Sequence, residues 1–248
     1  MLDELTTQVF WIGLLKIIGV NLILSGDNAV VIALAARSLP QRQQKAAVLW
    51  GSGAAVAMRI LLTIFAVALL TLPWLKIVGG LLLLWIGVKL LVPEEDGDDI
   101  ASSDNLFQAI KTILIADLVM SLDNVLAVAA AADSAAPTVE LVAMKYTLLV
   151  LGLAISIPIV IFGSTLMLKF MERWPVIITA GGALLGWIAG EMMVTDPAID
   201  AWVEHNARWL EEMRVAAIAG AVLVVIIGMW LAKRQQQAHA AEGGPPHS

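Results

Sequence analysis

Twice in this chain an apolar stretch long enough to cross a bilayer is interrupted by the same polar pattern, Ser-x-Asp-Asn. Asn21-Leu-Ile-Leu-Ser25-Gly-Asp27-Asn28-Ala-Val is echoed by Asp117-Leu-Val-Met-Ser121-Leu-Asp123-Asn124-Val-Leu. A segment buried in lipid must satisfy its own backbone N–H and C=O groups, so runs of this length fold as α-helix. An ionisable side chain at that depth is costly and by default marks an ion or substrate pathway. Equivalent aspartates in two halves of one chain strengthen that reading.

The rest of the sequence fits a protein that lies almost wholly in the membrane. Hydrophobic residues make up 60% of the 248 positions and charged residues only 15%, with a mean hydropathy of +0.87. Soluble domains average about 25% charged residues. We read seven spans: Val9 to Ala36, Ala46 to Leu70, Trp74 to Val92, Leu106 to Ala132, Val139 to Leu168, Pro175 to Val194 and Val215 to Ala232. Pro158 is placed to kink the fifth. Trp11, Trp50, Trp74, Trp174, Trp209 and Trp230 fall near span ends, as interfacial anchors do. The first run is expected to remain as a span, because Met-Leu-Asp-Glu is not the basic start of a cleaved signal.

Lys and Arg in short connections set orientation. Arg37, Arg42 and Lys45, then Lys169 and Arg173, then Lys233-Arg234 fall on one side of a seven-span chain. That side is expected to be cytoplasmic, with the N-terminus out and the C-terminus in. The acidic run from Glu94 to Asp99 is then cytoplasmic too, either a solvated linker or a weak cation-gathering patch.

A second pair of blocks extends the repeat. Gly79-Gly80-Leu-Leu-Leu-Leu-Trp85-Ile-Gly-Val-Lys89 is matched by Gly181-Gly182-Ala-Leu-Leu-Gly-Trp187-Ile-Ala-Gly-Glu191. Each repeat holds three spans, an odd number, so the second lies upside down relative to the first. Such inverted repeats place binding sites near the midplane. The expected fold is an all-α membrane protein with a 3+3 inverted repeat and one extra helix. Residues 1–100 form the first repeat with its acidic linker and residues 101–196 the second. Residues 197–234 form an outer loop, with a short amphipathic helix between Thr195 and Arg214, and helix seven. Residues 235–248 form a disordered tail, from their polar, Pro- and Gly-containing composition.

On a regular helix Asn21, Ser25 and Asn28 share a face, as do Asp117, Ser121 and Asn124. Asp27 and Asp123 would lie roughly 120° away. Gly26 permits a local unwinding that redirects Asp27, whereas Leu122 in the second copy does not favour one. The donors are carboxylates, amides, hydroxyls and backbone carbonyls. With no cysteine and no histidine in an apolar segment, they suit Mn²⁺, Mg²⁺ or Ca²⁺ better than Cu⁺ or Zn²⁺. Met58, Met120 and Met144 are soft donors whose alternative role is packing. The alternative for Ser and Asn is hydrogen bonding between helices. Arg59 stands mid-span either as the counter-ion of an aspartate or as a gating or anion-binding group. Glu191 is either an interface-reaching side chain or a proton or cation relay.

The paired Ser-Gly-Asp27-Asn28-Ala and Ser-Leu-Asp123-Asn124-Val-Leu-Ala motifs, the small size and the span count resemble the TerC family of membrane proteins. The short form is similar to its YjbE-type branch, and the likeness covers about residues 8 to 232. The family was named for tellurium resistance, is associated with Mn²⁺ efflux and metal homeostasis, and resembles the LysE group of exporters in layout. The resemblance implies a bacterial inner membrane and carries Asp27, Asn28, Asp123 and Asn124 over as candidate metal ligands. Asp117 fits as well, although its repeat partner is Asn21.

Export of a divalent cation against a cell-negative potential costs roughly 4.6 kcal/mol per 100 mV, twice the value for one charge. No G-x-x-x-x-G-K-[ST] phosphate loop is present. The expectation is therefore proton-coupled antiport, with the lipid bilayer, protons and the metal as partners. The metal is cargo, no prosthetic group is implied and no nucleic acid is expected. Two other readings remain: an exporter of small amino acids using Arg59 to hold a carboxylate, and a membrane scaffold or insertion factor linked to metal or tellurite resistance. Catalysis is not expected, since nothing beyond the two aspartates forms a catalytic set.

Overall fold

The computed structural model describes residues 8–23, 26–70, 72–92, 102–135, 142–212 and 214–242, with some side chains inside these ranges excepted. Among the described residues every regular element is helical: α1 Gln8–Ile23, α2 Gly26–Ala36, α3 Gln41–Leu70, α4 Leu75–Leu91, α5 Ser102–Ala135, α6 Val142–Arg173, α7 Val176–Val194, α8 Asp200–Asn206, α9 Trp209–Glu212 and α10 Val215–Glu242. Five are long and apolar enough to cross a membrane, within α3, α5, α6, α7 and α10. Large apolar side chains such as Leu15, Leu61, Phe107, Phe162 and Ile226 stand on the outer surface. That inside-out pattern suits lipid, where apolar surface needs no cover. The six tryptophans assigned to span ends are likewise exposed.

The run read as one span from Val9 to Ala36 is seen as α1, Gln8–Ile23, and α2, Gly26–Ala36; residues 24 and 25 lie outside the described residues. In α2 the Asn28 N–H donates to Asp27 Oδ1 at 2.8 Å. The second copy of the motif lies within α5, and α6 stays helical through Pro158.

The connection between α7 and α10, where a short helix was expected, carries α8 and α9, with Val203 buried and Trp202 exposed. Helix α10 continues to Glu242, into the stretch expected to be disordered. Its Gln235-Gln-Gln-Ala-His-Ala-Ala-Glu242 run holds mostly residues of good helix propensity, and Gly243-Gly-Pro follows. The acidic run from Glu94 to Asp99 lies outside the described residues.

Small residues set how closely the helices approach. A side chain at Gly190 would run into the Ala216 carbonyl, and one at Gly186 into the Gly220 carbonyl, so α7 and α10 meet backbone to backbone. Gly80 of α4 faces the Ala189 carbonyl of α7, and Gly87 of α4 faces the Gly182 carbonyl. Gly51 of α3 packs on Ile113 of α5, and Gly152 of α6 packs on Ile17 of α1.

Polar links close the two ends. At one, Arg37 Nη2 donates to the Leu90 carbonyl at 2.9 Å, and Gln44 Nε2 donates to the Arg37 carbonyl at 3.2 Å. At the other, Asp196 accepts the N–H groups of Trp74, Lys76 and Ile77, capping α4 from across the bundle.

Candidate ion site around the buried arginine

Arg59 is placed by the packing of α3. Its inward face carries Gly51, Ser52, Ala55, Val56 and then Arg59, all buried. Small residues bring α3 close to α5, and the first long side chain on that face meets the polar stripe of α5. The i, i+4 spacing of Asp117 and Ser121 puts both on one side of that helix.

The result is a buried polar triad in an apolar interior. Arg59 is 3% exposed, Asp117 5% and Ser121 0%. One Arg59 terminal nitrogen bonds Asp117 Oδ1, and its Nε donates to Ser121 Oγ at 3.0 Å. The Ser121 hydroxyl in turn lies 3.3 Å from Asp117 Oδ2 and donates to it. Ala116, Val119 and Met120 of the same helix are buried in the apolar core.

Asp27 of α2 is half-buried, with Asn28 buried next to it. It is close enough to Arg59 and Asp117 for the charge of each to act on it.

Asp27, Asn28, Asp117, Ser121 and Arg59 are thus gathered from α2, α3 and α5. The side chains of Asn21, Ser25, Asp123, Asn124 and Met144 lie outside the described residues. Among the described residues no group of three or more His, Cys, Asp or Glu gathers around a point where a metal ion would sit. Ser52 Oγ is buried two turns along α3 from Arg59, with no hydrogen-bond partner among the described residues. Sequence reasoning passed over Ser52 because a lone serine in an apolar helix carries no charge signal.

Glu191 is not part of this group. It pairs with Arg214 at 3.1 Å, both exposed, at the far end of the bundle. The pair lines a cleft of about 410 Å³ together with Lys76 and Thr195. Arg214 also lies over the Trp187 ring. Asp196 sits near this end and was not singled out from the sequence. Its one local signal is the following Pro197, since Asp before Pro favours a turn start. The turn is seen as the Ala198 N–H bond to Asp196 Oδ1 at 2.8 Å.

Comparison with known proteins finds the family model described as integral membrane protein TerC family matching residues 6–237. The chain is similar to the uncharacterized membrane protein YjbE of Bacillus subtilis, 42% identical over 217 residues, which cover 88% of this chain and 95% of that protein. It is similar to YkoY of the same organism at 26% identity over 189 residues, covering 72% of this chain and 58% of that protein. YceF is 24% identical over 250 residues, covering 97% and 91%. No solved structure matches.

Proposed function

The chain belongs to the TerC family of integral membrane proteins, and from that premise we propose that it is a secondary-active exporter of divalent metal ions, Mn²⁺ foremost, coupled to protons. The observation that carries the reading is the buried Arg59–Asp117 pair in an apolar bundle, with the half-buried Asp27 within reach of both charges. Ionisable groups inside membrane-spanning helices mark ion pathways. Oxygen donors favour a hard divalent cation.

In this reading Asp27 and Asn28 hold the ion together with Asp123 and Asn124. Each aspartate alternates between bound metal and bound protons, so that release on one side is tied to protonation. The chain crosses an inner membrane seven times, with its Lys- and Arg-rich end in the cytoplasm, and its two three-span halves are inverted repeats. Supporting this are contacts that exchange when the halves are exchanged. Gly80 against Ala189 becomes Gly182 against Gly87 at an offset of 102 (182 − 80 and 189 − 87). Such self-complementary pairing is what a two-fold relation between halves requires. Alternating access is then rocking of one half against the other.

Pairing of Arg59 with Asp117 and Ser121 speaks against the amino-acid exporter, whose carboxylate anchor that arginine would have been. Mn²⁺ efflux from loaded cells, or its uptake into inverted vesicles, tests the proposal with Asp27→Asn and Asp123→Asn. Efflux lost in both variants at unchanged expression is the expected result. Normal efflux in the variants, or no divalent cation moved by the intact protein, would overturn the reading and bring the scaffold forward.

A further inference from the structure

The two halves match in their packing but not in one charge pair. Gly51 of α3 rests on Ile113 of α5 as Gly152 of α6 rests on Ile17 of α1. The offsets are 101 for the first partner (152 − 51) and 96 for the second (113 − 17). The value of 96 is also that of the aspartate motif (123 − 27), so α5 and the first span share one register throughout. Burial confirms the 101 register along the other helix. Gly51, Ser52, Ala55 and Arg59 are buried on α3, and Gly152, Leu153, Ser156 and Val160 are buried on α6.

In these registers Arg59 corresponds to Val160 (160 − 59 = 101), and Asp117 corresponds to Asn21 (117 − 21 = 96). Where the first half supplies an arginine, the facing position is an aspartate. Where the other half supplies Val160, the repeat position of Asp117 holds Asn21. The charges are present together or absent together, as expected if each is tolerated in the apolar interior only because of the other. Ser121 and Asp123, by contrast, have like partners in Ser25 and Asp27.

We propose that Arg59 is a specificity-determining counter-ion that removes Asp117 from the ligand set and fixes the charge of the site at that of a divalent cation. Three carboxylates (Asp27, Asp117, Asp123) against one guanidinium leave two negative charges. The two that remain are the pair related by the repeat. Asp117 then positions Arg59 instead of touching the ion. The matching of site charge to ion valence rests on the metal-export reading; the compensation of Arg59 by Asp117 does not.

The test replaces one half's pair with the other's: Arg59→Val, Asp117→Asn, and both together in the full chain. Two quantities are measured, the melting temperature of the detergent-purified protein and Mn²⁺ uptake into proteoliposomes. Each single variant is expected to melt about 10 °C lower, or to fail to fold, because a buried charge loses its partner. The double variant is expected to recover both the melting temperature and most of the Mn²⁺ flux. Single variants that melt like the wild type would overturn the compensation, as would a double variant no more stable than either. A double variant that folds normally but moves no Mn²⁺, while the wild type does, would show that Asp117 contacts the ion and overturn its assignment. If the wild type itself moves no divalent cation, the export reading fails and the charge-matching inference falls with it, while the melting temperatures still decide the pairing.

Discussion

Asp196 accepts the backbone N–H of Trp74 at 2.8 Å, joining the start of α4 to the end of α7 across 122 residues of chain. Trp74 is held at φ 70, in the left-handed region that disfavours a bulky residue. Burial alone would raise the Asp196 pKa, but the four N–H donors of Ala198, Trp74, Ile77 and Lys76 outweigh it and hold the carboxyl below its ordinary 3.8. A carboxyl lowered in the folded state stabilises the fold above its unfolded value and loses that contribution as pH falls through the folded one. Thermal melts from pH 7 downward are therefore expected to show a loss below about pH 4 that is absent in Asp196→Ala. At pH 7 that variant is expected to be about 1–3 kcal/mol less stable, the cost of leaving buried donors unpaired.

The seam between α7 and α10 makes a steric prediction. Gly186, Gly190 and Gly220 leave no room for a Cβ, because the atoms they face are backbone and cannot rotate away. Gly190→Ala is expected to destabilise by at least about 1–3 kcal/mol, the range for overpacking. Gly53→Ala meets nothing within 4 Å and is expected to be neutral or stabilising by up to about 1 kcal/mol through helix propensity. Melting temperatures of the two variants side by side decide the matter.

A proline substitution tests α5. Leu122 lies inside this helix, buried, with turns of helix on both sides. Leu122→Pro is expected to lose about 3 kcal/mol or more, because proline removes a backbone hydrogen bond and clashes with the preceding turn. Size-exclusion profiles and circular dichroism after purification provide the check.

Glu191→Gln breaks the exposed pair with Arg214. Pairs this open to solvent contribute about 0–1 kcal/mol, so the melting temperature should barely move, and less still at high salt. A large fall would mean that the cleft around Lys76 and Arg214 holds this end of the bundle together.

The duplicated aspartates are legible as candidates because they stand out against apolar surroundings. The choice between counter-ion and gating group for Arg59 was not legible. Its outcome depends on which helix lies opposite, and an arginine in an apolar run looks the same in either case. The helical end of α10 was missed for a local reason: Gln, Ala and Glu read as polar tail by composition but are good helix formers when a long helix already precedes them.

By itself the sequence determined a helical membrane protein, the length of its apolar segments and the place of its ionisable groups along them. These follow from hydropathy and from the need to satisfy the backbone within each segment. Only the tertiary structure decided that Arg59 meets Asp117 and Ser121, that Asp196 caps a helix from the other half of the chain, and that Asp27 comes near the triad. Those outcomes depend on how far each helix slides and turns against its neighbour. Glycines such as Gly51, Gly152 and Gly190 set that register through contacts with residues far away in sequence.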